Sequence, residues 1–493
     1  MSHKIIAIDQ STSATKAMLF DEQCRLLKRV NIAHEQYYPQ EGWVEHDALE
    51  IYRNALDAIR GLLEGEATAD TEYSLAITNQ RETVVVWDRR TGEPVSRAVV
   101  WQCTRGAAIC QELKDRGMTS FVQERSGLLI DPYFSASGVK WILDNVEGAR
   151  DNAAAGHLLM GTIDSWLVWK LTGGATHATD YTNASRTLLF NIHTLDWDDE
   201  LLSLFDIPRT MLPEARPCDA LYGTTTLDGL FPAGIPIVGL LGDSHGALVG
   251  QCCFRPGQAK ATYGTGSSVM MNIGENALSA PDGLVTSIGF AAGGKTHYAF
   301  EGNIHCTGAT IKWLVERLRL IDSPADIETQ AAPSAGGVYF VPAFAGLGAP
   351  WWRPEARAAV VGMSLATDRS HMLRAAMESI AYQVTDLAGV MAEKAGVALS
   401  ELRVDGGPTR NRTLMQFQAD MLCADIRRSD IEEASALGAV IMNGLGRGCW
   451  KNLEEVAALF ADATVLHPQM PAEERTSLRA GWRKAVNMII QNS

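Results

Sequence analysis

The sequence predicts an α/β protein built of two similar halves that face each other across a cleft. Three observations carry this. Short apolar runs of strand length alternate with longer helix-periodic segments along nearly the whole chain. Two turns of small polar residues, one near residue 10 and one near residue 265, are each entered by an apolar strand and left by another, an echo expected of duplicated units. No low-complexity linker separates the pieces, so the boundary is expected in a short crossover at residues 249–256, dividing the chain into 1–250 and 251–493.

Composition fits this class. A chain of 493 residues that is 46% hydrophobic can supply two or three cores. The formal charge of −15, without a basic tract, argues against nucleic acid or an anionic membrane as a main partner. There is no eighteen-residue apolar run, and MSHKIIAIDQ passes directly into a strand-like run, so a cytoplasmic protein without membrane insertion is expected. Nine cysteines without a CxxC pair predict mostly buried thiols rather than a disulfide framework or a zinc ribbon.

Taken in order, residues 4–8 and 15–20 read as strands around a turn at 9–13. Asp9 there is a candidate magnesium ligand through water, Thr12 and Ser13 offer hydroxyls to phosphate, and Lys16 adds a cation. A plain polar hairpin accounts for most of the same residues. Asp47 caps a helix to about residue 63, with apolar residues at Leu49, Tyr52, Leu56, Ile59 and Leu63. A brief strand at 75–78 then delivers Asn79-Gln80-Arg81-Glu82 into a loop. A fixed donor beside a fixed acceptor can grip neighbouring hydroxyls of a polyol, although a surface ion pair has the same sequence. Trp101 and Tyr133 sit at element ends, where aromatic faces suit either the C–H surface of a polyol or the core. Residues 158–171 read as a helix and 177–186 as an ordered polar loop.

The stretch 237–268 is the expected meeting point of the halves. It places Asp243 at the end of a buried strand, as a candidate general base, and Gly264-Thr265-Gly266 after a second strand, where glycines let backbone N–H groups approach an anion. Beyond it we expect a helix at 306–318 with Gly308 in its first turn, a strand at 338–344, and a long helix at 368–396. A diglycine exit, Asp405-Gly406-Gly407, is followed by a helix at 411–422, and a small-residue helix spans 433–445. A diglycine without Cβ atoms gives an adenosine room to lie flat, or makes a tight turn.

Together these residues resemble the FGGY carbohydrate kinase family. The resemblance runs end to end through Gly42-Trp43-Val44-Glu45-His46-Asp47, Ile77-Thr78-Asn79-Gln80-Arg81-Glu82-Thr83, Ile130-Asp131-Pro132-Tyr133-Phe134-Ser135, DYTNASR, NIHTLDWDD, TYGTG, PAF with GLGAP, ESIAYQ, and VDGG with Asn411. It implies two actin-like ATPase domains of the ribonuclease H-like type, closing on ATP, Mg2+ and a small polyol in a catalytic cleft. By that likeness Asp243 is the catalytic base, and Arg81, Glu82, Trp101, Tyr133 and Asp243 hold the acceptor. Thr12, Ser13, Ala14 and Lys16 correspond to the first phosphate loop and Thr265 and Gly266 to the second. Gly308, Lys312, Gly407 and Asn411 correspond to the nucleotide pocket, and Asp9 and Asp243 to the metal site. The implied reaction is ATP-dependent phosphorylation of a terminal hydroxyl, with glycerol going to sn-glycerol 3-phosphate as the leading case, in a homodimer or homotetramer. A non-catalytic ATP-binding regulator is the weaker alternative, because no phosphate loop or base is missing.

The departures from the family pattern concern the acceptor. Relatives that act on glycerol carry Gln-Gln after the catalytic Asp and a Phe two residues after the GTG glycine, where this chain has Ser244-His245 and Ser268. A wider, more polar pocket is expected, which suits a four- or five-carbon polyol or ketose as the alternative acceptor. Ser11, Gly138 and Ala366 also depart from the pattern without removing the base or a phosphate loop.

Overall fold

Both polar turns cap a β-hairpin that opens a twisted sheet. A computed structural model describes residues 2–66, 71–281, 283–428, 433–460 and 464–491. In the first half, Ser2–Gln10 pairs antiparallel with Ala14–Asp21, and that strand with Leu26–Ala33. On its other side Ser2–Gln10 runs parallel to Thr71–Asn79, which runs parallel to Ile235–Gly242. The second half repeats the order. Gln258–Tyr263 pairs antiparallel with Ser267–Gly274, and that strand with Lys295–Ile304. Gln258–Tyr263 also runs parallel to Glu401–Asp405, which runs parallel to Asp425–Arg428. The duplication read from the two turns is thus a duplication of sheet topology.

Local signals placed most helices. Asp47 accepts from the N–H groups of Leu49 and Glu50 and starts Ala48–Leu63. Its buried face is Ile51, Ala55, Ala58, Ile59 and Leu62, so Leu49, Tyr52 and Leu63 lie at its margin rather than its centre. Asp368 caps Arg369–Ala395, and Gly396 at φ 66° ends it in the left-handed conformation.

Three segments differ from expectation. Residues 158–171 split into a strand, Leu158–Thr162, and a helix, Ile163–Leu171, because the apolar run completes a small sheet beside Val84–Asp88. The expected loop at 177–186 holds a strand, Ala178–Asp180, and a one-turn helix, Tyr181–Ala184, capped by the Asp180 side chain. The strand expected at 338–344 is shorter, Tyr339–Val341. Asp9, expected in the first turn, lies within the strand Ser2–Gln10 instead, paired with Lys16.

A helix from the far end of the chain ties the halves together. Ala434–Arg447 packs on the helix Asp243–Gly250 and behind the first sheet. A Cβ on Gly438 would lie 2.0 Å from the Gly246 carbonyl oxygen, so the two helices approach backbone to backbone. Its residues Leu437, Val440 and Ile441 share one core with Ile5, Phe20 and Leu248 and with Met270 and Phe290. Seven of the nine cysteines are buried, Cys252 and Cys253 among them, and all nine are free. No described helix is long and apolar enough to cross a membrane.

Candidate active site

Asp243 stands where strand becomes helix. Ile235–Gly242 runs buried to its end, and Asp243 is the first residue of the helix that follows, where a carboxylate suits the helix dipole. Gly242 N–H is held by Thr182 Oγ1 at 2.9 Å, and Asp243 Oδ1 accepts from Ser244 N–H at 2.6 Å. The Asp243 side chain keeps 36% exposure, so its carboxylate stays open to the cleft.

The adjacent strand, Thr71–Asn79, delivers Arg81 and Glu82 to the same place. Glu82 has φ 63°, and Thr83 N–H bonds back to Arg81 C=O at 2.7 Å, so the chain makes a tight turn with a non-glycine residue at its centre. Such strain persists only where the surroundings hold it. Here an ion network holds it. Arg81 Nε lies 3.2 Å from Asp243 Oδ1, and its two terminal nitrogens donate to Glu301 Oε1 and Oε2, each at 2.9 Å. Arg186 Nε donates to Glu82 Oε1 at 2.6 Å, and Arg186 Nη1 lies 2.8 Å from Glu301 Oε2. The Arg81–Glu82 pair is therefore buried, not a surface ion pair. Burial pushes the Glu82 carboxyl up. Burial pushes Glu301 the same way, but the guanidiniums of Arg186 and Arg81 outweigh it and hold that carboxyl well below the usual range.

Two aromatic rings wall this network. Trp101 and Tyr133 meet edge to face with centroids 5.4 Å apart. Trp101 Nε1 donates to Thr12 Oγ1 at 3.0 Å, which links the wall to the first polar turn. In that turn Ala14 C=O accepts from Ser11 N–H at 2.9 Å, and Ser13 C=O from His34 N–H at 3.3 Å. Lys16 Nζ is engaged by Glu433 Oε2 at 2.6 Å and lies 3.9 Å from Asp9 Oδ2. Asp9 is 6% exposed, and burial pushes its carboxyl up to about 7, with Asp243 and Glu433 adding to the shift against Lys16. Asp9 is thus a buried carboxylate whose neighbouring cation, Lys16, is drawn to Glu433 instead.

Across the cleft, Thr265, Gly308, Lys312, Gly407 and Asn411 line one cavity of about 640 Å³ together with Tyr263 and Gly264. Gly266 lies behind this lining, where a Cβ would meet the Ile304 carbonyl oxygen at 2.4 Å. Asn411 caps the helix Arg412–Leu422, and Lys312 stands at the rim beside Glu316, 3.7 Å away. Apolar Ile311, Ile327, Ile380 and Leu414 complete the walls, a lining suited to a flat heteroaromatic base.

Ser268 faces the acceptor network from the second half. It pairs with Asn303 as Met270 pairs with Glu301, which puts Ser268 and Glu301 on one face of the sheet. Its Oγ is buried without a hydrogen-bond partner. His245 bonds Ser287 Oγ at 3.1 Å, and its Nδ1 has no partner.

Sequence reasoning missed Arg186 and Glu301. Arg186 closes the DYTNASR motif, and Glu301 is a charged residue beside the apolar run Tyr298-Ala299-Phe300 of its strand, which was the available signal.

Comparison with known proteins shows the family. Residues 4–250 match the N-terminal domain of the FGGY family of carbohydrate kinases, and residues 259–446 match its C-terminal domain. Glycerol kinase 2 of Thermotoga maritima is 48% identical over 486 residues, 98% of each chain. Glycerol kinase of Symbiobacterium thermophilum is 50% identical over 485 residues, 98% of this chain and 97% of its own. The crystal structure of Plasmodium falciparum glycerol kinase with ADP superposes with a TM-score of 0.94 at 36% identity, covering 99% of this chain and 98% of that one. Xylulose kinase of Rhodospirillum rubrum, with a TM-score of 0.88 at 21% identity and 99% coverage of both chains, shares the fold. With both domain models matched and relatives near half identity over almost the full length, the chain belongs to the FGGY family of carbohydrate kinases.

Proposed function

We propose that this chain transfers the γ-phosphoryl group of ATP to a terminal hydroxyl of glycerol. The observation that carries the reading is the Arg81–Glu82–Asp243 constellation, in which Arg81 and Glu82 are buried and Asp243 is open to the cleft, walled by Trp101 and Tyr133 and facing a nucleotide-sized cavity. Arg81 donates to acceptor hydroxyls and Glu82 accepts from them, so neighbouring hydroxyls bind in one orientation. Asp243 takes the proton of the reacting hydroxyl as its oxygen attacks the γ-phosphorus. Thr265 and the N–H groups of its glycine loop meet the phosphates, while Gly308, Lys312, Gly407 and Asn411 hold the nucleoside. Thr12, Ser13, Ala14 and Lys16 form the opposite phosphate wall. The aromatic rings cover the C–H surface of the acceptor and exclude water from the phosphoryl group.

Asp9 and Asp243 are the residues that would hold Mg2+. The ion supplies charge neutralisation on the transferring phosphoryl group. Asp9→Asn is expected to raise the Tm of the ligand-free protein, because the desolvation of a buried carboxylate outweighs its distant contact with Lys16, and to lower kcat at least about tenfold. A variant with unchanged Tm and unchanged Mg2+ dependence removes Asp9 from the metal site. We divide the chain functionally at residue 250, and by family likeness assign it to the cytoplasm as a dimer or tetramer, which sedimentation and fractionation test.

A second reading rests on the orphaned Ser268 Oγ, which a further acceptor hydroxyl would satisfy, so that a four- or five-carbon polyol or ketose is preferred. The deciding experiment compares kcat/KM with ATP across glycerol, dihydroxyacetone, erythritol, the threitols, xylitol and the pentuloses. Glycerol leading by about a hundredfold, a gap of about 2.7 kcal/mol, establishes the first reading. In the second, Ser268→Phe shifts the ratio of kcat/KM values toward glycerol by about tenfold or more, and an unchanged ratio rejects it.

A further inference from the structure

We propose that Glu301 is a positioning residue with which the second half completes the acceptor site of the first. This rests on the acceptor site assigned above. Glu301 lies on the strand Lys295–Ile304 and is 2% exposed. Its two oxygens take one N–H from each terminal nitrogen of Arg81, both at 2.9 Å, and Oε2 also lies 2.8 Å from Arg186 Nη1. Arg186 in turn engages Glu82 Oε1 at 2.6 Å. One carboxylate from beyond the domain crossover thus joins three first-half side chains, Arg81, Arg186 and Glu82, into a single network.

The consequence follows from counting donors. A guanidinium has five N–H groups in a fixed plane. Glu301 takes two of them end-on, and Arg81 Nε faces Asp243 Oδ1 at 3.2 Å. That leaves one N–H on each terminal nitrogen for acceptor hydroxyls. Glu82 Oε1 already accepts from Arg186, which leaves Oε2 with both of its lone pairs for a hydroxyl. Glu301 thereby decides which edge of Arg81 the acceptor sees. It also sets the charge of the network, in which two guanidiniums face the three carboxylates of Glu82, Asp243 and Glu301. Without Glu301, Arg81 is free to swing its terminal nitrogens onto Asp243 in a bidentate clamp, engaging the carboxylate that must accept the proton. Because Glu301 arrives on the second half, the acceptor site has its working geometry only when the halves are together.

The test is Glu301→Gln in the full-length protein, which keeps the shape and removes the charge. Steady-state kinetics with the acceptor and ATP varied in turn are set beside ADP affinity by calorimetry and Tm. The expected result is an acceptor KM raised at least about tenfold with ADP affinity within about twofold of the wild type. Glu301→Asp, which restores the charge on a shorter arm, should recover part of the loss. An unchanged acceptor KM in Glu301→Gln overturns the proposal. So does a parallel loss of ADP affinity, which marks a purely structural role. If Glu301→Gln does not accumulate as folded protein, Glu301→Asp carries the same test with the same overturning outcomes. Wild-type protein that turns over another polyol but not glycerol rejects the glycerol reading alone, and Glu301 is then tested on that polyol. Wild-type protein that phosphorylates no polyol rejects the acceptor site and this proposal with it.

Discussion

Asp243→Asn is expected to lower kcat for acceptor phosphorylation by about 10²- to 10⁴-fold, the range of a positioned general base. The amide keeps the shape of the side chain and its place at the head of the helix Asp243–Gly250, but cannot take a proton. Nucleotide binding should survive, because the lining of the 640 Å³ cavity includes neither Asp243 nor its helix. The measurement is ADP release in a coupled assay at saturating acceptor, beside ADP affinity by calorimetry. Undiminished turnover removes Asp243 from the proton-transfer role. Equal loss of turnover and ADP affinity assigns it to binding instead.

The second large effect is expected at Gly406. Its φ is 98°, and a Cβ there would lie 2.0 Å from the carbonyl oxygen of Tyr263, the last residue of the strand that feeds the Gly264–Gly266 loop. Gly406→Ala must either push that strand end aside or leave the left-handed conformation. Backbone strain and overpacking of this kind together cost about 2–5 kcal/mol. Tyr263 and Gly264 line the nucleotide cavity, so the displacement reaches the ligand. Both Tm and ADP affinity should therefore fall in Gly406→Ala. Gly407→Ala is the control: no atom lies within 4 Å of a Cβ at that position, so its Tm should stay at the wild-type value. Equal Tm for the two variants contradicts the close approach at Gly406.

Much of this molecule was legible from local signals. The helices that Asp47 and Asp368 cap, the long helix that Gly396 ends, and the strand-to-helix step at Asp243 all depend on residues a few positions apart. Failures came where local pattern is ambiguous. An apolar run such as Leu158–Leu171 suits a strand or a buried helix equally, and only its partner, Val84–Asp88, selects a strand for the first five residues. Likewise Ala178–Asp180 becomes a strand because Glu214–Arg216 lies beside it.

The sequence by itself determined the duplicated strand–turn–strand units, the family, and the identity of most residues that line the cleft, because a turn, a cap or a long motif is a short-range constraint. Tertiary structure alone decided that Arg81 and Glu82 are buried, that Arg186 and Glu301 hold them, and that Ser268 keeps an unpartnered hydroxyl. Each of these depends on which side chains meet across sheets distant in sequence. A charge or hydroxyl acquires its energy from that encounter: exposed and solvated it is worth little, but buried it must find its partner or pay the desolvation in full.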